Sequence, residues 1–600
     1  MNRMSVKSLF SVISVFSVAL FALTARAQTT QPAVVDDGFA RQIDLAPLRA
    51  VTIQHSQTLK TLDTFSRQFV SGITGTARLE GHDPLYVMFD IAFRPSVWRE
   101  RRIIKIKNVP VRQDLVIELR DWPNERLNAL LETGMISMVE YESPQVQHAL
   151  EKIAVSAAFK RDAVQQVGSA AMALQQLIGS HGRVGGLMVM PLIPPSTEDP
   201  ESTKWLSIED LYGNSPAVVR WAESNKLPVP QRRAGYDDNV IAEVINAAMG
   251  FEAGWQRRDA AMVTQQAAEL GRLLPASVPQ RYPSSAKRQT EVIYNRFAKL
   301  TIPTAMLYFA AFAAFLVASR QPIGWLRVTG LSVMIVGFIV HTASIAIRWW
   351  LVEKSTGDWF HSIPIKNQFE SVLFSAWFGA LVGIVLEIWK GKNLFGAAAS
   401  FVGWLSLVAI YASPFVFKRE IGAEIGHVAG VLMSYWLYIH VTTVVASYAL
   451  IGMSFLLGVW WLIAYGMRRN ELVNQPRLIS ADAIKGDIPI DRSATDARGF
   501  LATLDQCNLT VLQLAFWVLG VGIILGAVWA DQSWGRPWGW DPKETFALVT
   551  WIVYLIVVHI RIVTPRKAFW TAVLSVVGFF VMLFNWIGVN FFLVGLHSYA

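Results

Sequence analysis

The segment Trp534-Gly535-Arg536-Pro537-Trp538-Gly539-Trp540-Asp541-Pro542-Lys543-Glu544 sets three indoles, two glycines and two prolines in a short loop between strongly apolar runs. Indole faces cover a flat π-system, while Gly and Pro shape a loop and hold it open. Histidines stand at the far ends of the neighbouring apolar runs, and imidazole is suited to ligate a metal at the centre of such a ligand. An interfacial tryptophan belt is the competing reading, but a belt spreads its indoles over many helix ends and needs no such spacing. The pattern points to a flat, metal-bearing ligand, for which haem is the obvious candidate.

Depth decides which histidines share a metal, since a helix rises about 1.5 Å per residue. His440 follows the aromatic group Tyr435-Trp436-Tyr438 and so lies near the interface that carries the loop; His597 follows the last apolar run and reaches the same face. Two neutral imidazoles, one on each side of a macrocycle, saturate the axial positions of a haem iron. The plainer alternative makes each an interfacial amphipathic residue. His559 stands just before Arg561, on the order of 20 Å from the loop, and an ionisable group inside a membrane helix is a functional candidate by default. His341 is intramembrane too, but roughly 10 Å separates it in depth from His559, which leaves their pairing open. His361 and His427 fall in loops and are read as solvated; His55, His82 and His148 are isolated and are read as surface or packing residues.

The elements that must position these groups are apolar runs near 303–319, 328–347, 368–389, 394–417, 430–466, 509–530, 545–563 and 568–594. Each supplies the roughly 20 residues a helix needs to cross the hydrocarbon core. Arg320 and Arg327, Lys390 and Lys392, Arg468 and Arg469, then Arg561, Arg566 and Lys567 all flank one side, which the positive-inside rule makes the cytoplasm. Eight crossings then leave 348–367, 418–435, the tryptophan loop and the carboxyl-terminal tail on the outer face. Residues 470–507 read as a polar cytoplasmic linker that ends at Cys507.

Ahead of the membrane part, residues 1–27 carry a basic start, a short apolar run and Ala25-Arg26-Ala27, the form of a secretory signal; an uncleaved anchor is the alternative. Both place residues 28–300 outside the cytoplasm, in a bacterium in the periplasm. That region reads as a mixed α/β domain. Val87 to Phe93 and Arg102 to Lys107 suggest strands or short extended pieces, Ala149 to Ile178 and Val240 to Leu274 helices. Proline clusters at Pro191-Pro194-Pro195-Pro200 and Pro275-Pro279-Pro283 suggest linkers. The fold class is therefore a mainly α, polytopic helix bundle behind a smaller extracytoplasmic domain.

Composition narrows the chemistry. A hydrophobic content of 53% and a mean hydropathy of +0.35 fit a polytopic membrane protein. The net charge of +9 and pI near 9.5 would suit nucleic acid in a soluble chain; here the surplus is topology. A single cysteine excludes an internal disulfide, a CxxC redox pair and a CxxCH haem-attachment site in this chain. Any thiols handled belong to a partner.

With these residues in place, a resemblance is clear. Gly526-Ala527-Val528-Trp529-Ala530, the tryptophan loop, Trp551 and His559-Ile560-Arg561 resemble the tryptophan-rich signature of the CcsA/ResC family, the integral-membrane part of the System II cytochrome c synthase. Tyr435 to Val441 with Ser447-Tyr448-Ala449, and Asn590 to Tyr599, resemble its two external haem-ligand helices. Arg348-Trp349 with Pro364, Asn367 and Phe369-Glu370-Ser371 is similar to its RW…PxxNxYES stretch, with Phe in place of Tyr. The resemblance covers about 303–600. It implies haem b as cofactor, His440 and His597 as external axial ligands, and Trp534, Trp538, Trp540 and Asp541 as the cradling loop. His559 matches the family's intramembrane histidine, whose partner normally comes from a ResB/CcsB companion, so the match does not by itself license His341. Leu62-Asp63-Thr64-Phe65 and Gly72-Ile73-Thr74-Gly75 are faintly similar to fused forms of the synthase.

A haem–apocytochrome ligase of this kind adds cysteine thiols of a CxxCH apocytochrome across the haem vinyls and works by positioning, so no side chain here is assigned as catalytic. Lys543, Arg536 or helix-end dipoles would meet the propionates, and Asp541 and Glu544 would order the loop. The implied partners are the apocytochrome, thiol reductants and a ResB/CcsB-like subunit, with lipid around and no nucleic acid. Two other classes compete. A haem carrier or exporter would present haem to a separate ligase. An ion-coupled transporter would place carboxylates at mid-membrane and show repeated halves, and neither is visible.

Overall fold

Long apolar runs leave the backbone no partner but itself, and the computed structural model resolves them into helices. It describes residues 38–55, 58–76, 78–156, 158–179, 186–198, 202–320, 323–356, 359–416, 434–474 and 492–589. Among these, eight helices are long and apolar enough to cross a membrane. We number them α1 (Thr301–Arg320), α2 (Gly324–Thr356), α3 (Gln368–Lys390), α4 (Leu394–Val416), α5 (Tyr435–Asn474), α6 (Arg492–Trp534), α7 (Pro542–Val563) and α8 (Lys567–Leu583). The protein is a multi-pass membrane protein, and the eight candidate spans among the described residues match the eight apolar runs.

The bundle is tied by polar groups at depth, where an unsatisfied donor is costly. Ser454 on α5 donates to Asn508 on α6 at 2.7 Å, and Asn508 donates to Ser575 on α8 at 3.1 Å. Arg561 near the end of α7 forks onto both oxygens of Asp505 on α6, at 2.6 and 2.9 Å. Glu387, fully buried near the end of α3, accepts the Asn393 and Gly396 amides at 2.7 and 3.1 Å and so seats the start of α4. Cys507 belongs here, 3% exposed among Leu504, Val511 and Leu512 in the middle of α6. The expectation of a polar linker reaching to Cys507 is corrected: α6 begins at Arg492, because Leu504, Val511 and Leu512 extend the apolar face past the polar residues between them.

The described chain divides into two compact units. One takes residues 38–45, 69–187 and 247–268; the other takes 46–68, 188–246 and 269–589. The first is built on a buried aromatic cluster of Tyr86, Phe89, Phe93, Phe251 and Trp255. Its buried Asp90 accepts the indole N–H groups of Trp98 and Trp255 at 2.9 and 3.0 Å. Val87 to Phe93 is helix here, not strand: Asp83 caps a helix over Pro84–Phe93 that is buried on every side, so no polar face marks its period.

The second unit holds the bundle and an antiparallel hairpin, Thr52–His55 with Thr58–Thr61, in the register Thr52↔Thr61. Pro191 opens a short strand, Pro191–Ile193, where a linker was expected; a first position in a strand needs no amide donor. The Leu62-Asp63-Thr64 stretch follows the hairpin and is bound to the helix Ser285–Arg296 that leads into α1. Glu291 accepts the Thr61 amide at 2.7 Å and the Thr64 hydroxyl at 2.5 Å, while Asp63 pairs with Arg49 at 2.8 Å and Arg67 at 2.9 Å. Tyr294 of that helix packs with Leu351 and Val352 of α2.

Candidate haem site

Five helix ends meet at one end of the bundle. The starts of α3, α5 and α7 and the ends of α6 and α8 line a cavity of about 270 Å³, with His440, Trp529, Trp538, Lys543, Asn585 and Trp586 on its walls. The Arg and Lys clusters of Arg327, Lys390 and Arg561 terminate the same helices, or their neighbours, at the opposite ends.

His440 lies in the second turn of α5, half-buried. Its Nδ1 is 2.8 Å from the carbonyl of Gly522 on α6. A carbonyl can only accept, so the proton is on Nδ1, the tautomer that ligating histidines commonly show. The ring is parallel to Trp529 (6.4 Å, 6° between planes). The close crossing of α5 and α6 is possible because residue 526 is glycine: a Cβ there would stand 2.6 Å from His440 Cε1. Gly526→Ala should therefore push the ring off the Gly522 carbonyl. Loss of such an outer-shell partner weakens metal affinity about 10–100-fold. Haem titration of the purified variant, with thermal unfolding as a control for folding, reads that loss.

The tryptophan loop forms no single layer. Trp534 stands edge-on to Trp529 (4.7 Å, 63°). Trp538 lines the cavity directly. Trp540 is 70% exposed, perpendicular to Trp538 at 5.8 Å, and adopts φ +55°, a left-handed conformation that a bulky residue holds only under constraint. Asp541 is buried and acts as the cap of α7. It accepts the Lys543 amide at 3.1 Å, and Glu544 returns to the Asp541 and Gly539 amides at 3.2 and 2.8 Å. The DPKE run is thus a capping box with proline in the first turn, which fixes how the loop enters α7.

The other histidines lie apart. His341 is fully buried in mid-α2, with Nδ1 3.1 Å from the Tyr308 hydroxyl of α1. His559 is exposed on α7, its Nδ1 bonded to the Leu555 carbonyl one turn back at 2.8 Å. The structure does not bring these two together: α2 packs on α1 and α3, and α7 on α6 and α8. His597 and His427 lie outside the described residues, as do the side chain of His361 and residues 1–27.

One cavity residue was not singled out from the sequence. Asn585 is 2% exposed and donates to the Tyr448 hydroxyl at 3.1 Å. An amide inside the last apolar run was the available signal. Gly526 was read only as part of the tryptophan-rich signature, and its packing role is legible only once its neighbour is known.

The donor set fits haem. One imidazole carries the needed tautomer, and Trp529, Trp538 and Trp586 line the cavity together with Lys543 and Asn585.

Residues 365–597 match the family model described as Cytochrome C assembly protein. The cytochrome c biogenesis protein CcsA of Prochlorococcus marinus (strain NATL2A) is 30% identical over 313 residues, covering 50% of this chain and 95% of that protein. The CcsA of Synechococcus elongatus is 34% identical over 260 residues, 40% of this chain and 79% of that protein. Protein NrfI of Wolinella succinogenes is 31% identical over 329 residues, 53% of this chain but 32% of its own length, so the chain spans about a third of that relative.

Proposed function

This chain belongs to the cytochrome c assembly family, and on that premise we propose that it holds haem at the tryptophan-loop end of its bundle for covalent attachment to a CxxCH apocytochrome. Its role lies in cytochrome c biogenesis. The observation that carries the finer reading is His440, its Nδ1 proton committed to Gly522 and its ring set beside Trp529 on the cavity wall.

Bound haem supplies the vinyl groups to which cysteine thiols add. The protein's own residues do the rest by position. His440 would hold the iron, Trp538 would lie against the ring, and the capped DPKE turn would fix the loop beside them. His597 is our candidate for a second residue that would hold the iron. The resident haem is haem b, and the bundle sits in a bacterial inner membrane with the loop, the tail and residues 28–300 on the periplasmic side. His559, turned outward on α7, suits a ligand completed by a second chain such as a ResB/CcsB-like subunit. Residues 28–300 provide a surface for the apocytochrome and its thiol reductants.

Co-expression with a CxxCH apocytochrome, in cells lacking other maturation genes, tests the ligase reading. Covalent haem in the apocytochrome is the expected result, and its loss in His440→Ala is the control. Haem retained by this chain with none transferred would turn the reading to a carrier. A colourless protein from haem-replete cells would overturn haem binding itself.

A further inference from the structure

We propose that a groove between α3 and α6, at the end of the bundle where lysines and arginines collect, binds one anionic phospholipid. Its acyl chain lies between two outward indoles and its phosphate at a pair of lysines. The site is remote from the tryptophan loop and independent of the haem reading. α3 and α6 each pack on α5, which leaves a groove of about 720 Å³ between them. Leu381, Val385 and Trp389 line it from α3, and Gln513, Leu514 and Trp517 from α6. Trp389 and Trp517 are 69% and 68% exposed. Membrane proteins gather their indoles at the two interfaces. Trp517 instead lies roughly 25 Å along α6 from Trp534 and roughly 18 Å from Asp505, well inside the span.

The mouth of the groove is cationic. Lys390 closes α3 with its Nζ 3.8 Å from the centre of the Trp389 ring. Lys392, in the turn to α4, interacts electrostatically with Cys507 of α6. Both lysines are exposed, and neither has a carboxylate partner among the described residues. The nearby carboxylates are engaged. Glu387 is fully buried, bonded to the Asn393 and Gly396 amides and beside Arg327, and Asp505 is held by Arg561. Arg327 also donates to the Glu387 carbonyl at 3.3 Å and so offsets the negative end of α3. Basic pockets between membrane helices bind anionic headgroups.

Gln513 offers a polar contact at a second depth. Its amide is exposed on a membrane-spanning helix and has no hydrogen-bond partner among the described residues, a costly state in hydrocarbon. It stands roughly 9 Å along α6 from Cys507, about the thickness of the headgroup and interfacial layer, roughly 5–8 Å. A lipid with its phosphate at Lys392 therefore brings its ester carbonyls to the Gln513 amide, which donates to them. A second membrane helix is the competing occupant. Helices approach one another in lipid over small residues. The one small residue on these walls is Thr510, whose hydroxyl donates to the Gln506 carbonyl of its own helix at 2.9 Å. Two projecting indoles hold a helix backbone away but flank a flexible chain.

The test uses the full-length protein, delipidated in detergent and offered dioleoyl phosphatidylglycerol or dioleoyl phosphatidylcholine, which share acyl chains and differ in charge. Native mass spectrometry counts the lipid retained, and thermal unfolding checks each variant for folding. One lysine beside an anionic lipid is worth about fivefold, so the wild type should favour phosphatidylglycerol by at least that factor. Lys390→Gln/Lys392→Gln should bring the preference close to one, and Trp517→Ala should lower retention of both lipids. Equal retention of the two lipids by the wild type overturns the anionic site. A preference unchanged in the folded lysine variant, or retention unchanged in folded Trp517→Ala, overturns this groove as its seat. A photoreactive residue in place of Trp517 that crosslinks to a polypeptide in intact membranes, and not to lipid, overturns the lipid in favour of a helix.

Discussion

His440→Ala should yield a folded protein that loses most of its haem on purification and regains it when imidazole is added. The side chain has two roles that separate in this experiment. Its Nδ1 bond to Gly522 joins α5 to α6, but that pair of helices is also held by the Ser454–Asn508–Ser575 chain, so one bond lost at the end of the bundle leaves the packing intact. As a ligand it has no such backup on α5. Removal of an axial donor should cost at least the roughly 10–100-fold in affinity that loss of an outer-shell partner causes. Free imidazole restores the donor in the space the side chain vacates, but not the helix tie. The Soret band per protein, with and without imidazole, is the measurement. Unchanged haem content and spectrum would remove His440 from the iron. Retention that imidazole does not improve would make its effect structural.

Much of this was legible because membrane physics writes itself plainly into sequence. Eight apolar runs gave eight helices, and the spacing of Tyr435, Trp436 and Tyr438 ahead of His440 gave its level near the loop. What a sequence cannot carry is which face of a helix meets which neighbour. His341 and His559 looked alike as intramembrane imidazoles, yet one is sealed against Tyr308 and the other is exposed on α7. The three indoles looked equivalent, yet Trp538 lines the cavity while Trp540 points outward on a strained backbone. The helix at Pro84–Phe93 was misread because burial on all sides erases the period that distinguishes helix from strand. Asp541, named with the loop and expected to order it by local hydrogen bonds, does so as the cap of α7.

Arg348 and Glu370 show how a motif can matter without touching the ligand, and breaking this pair should have the largest effect on stability. The two are 2.6 Å apart, 0% and 3% exposed, and join the last third of α2 to the first turn of α3. The rest of the RW…PxxNxxES pattern follows from the same corner. Asn367 caps α3 by accepting the Glu370 amide at 2.9 Å, and the second oxygen of Glu370 accepts the Lys366 amide at 2.7 Å. Lys366 and Asn367 in turn line the cavity. Arg348→Leu leaves a buried carboxylate uncompensated, for which a cost of about 3–5 kcal/mol is expected. The thermal unfolding midpoint should fall, and haem retention should fall with it as the start of α3 shifts. The Arg348→Leu/Glu370→Leu double variant should recover much of the stability, since no charge is then stranded, while the Lys366 and Asn367 segment stays unanchored and haem retention stays low. That split between stability and haem content is the decisive readout. A double variant as unstable as the single one would mean that the pair contributes packing and not charge compensation. One that recovers haem retention along with stability would show that this corner does not shape the cavity.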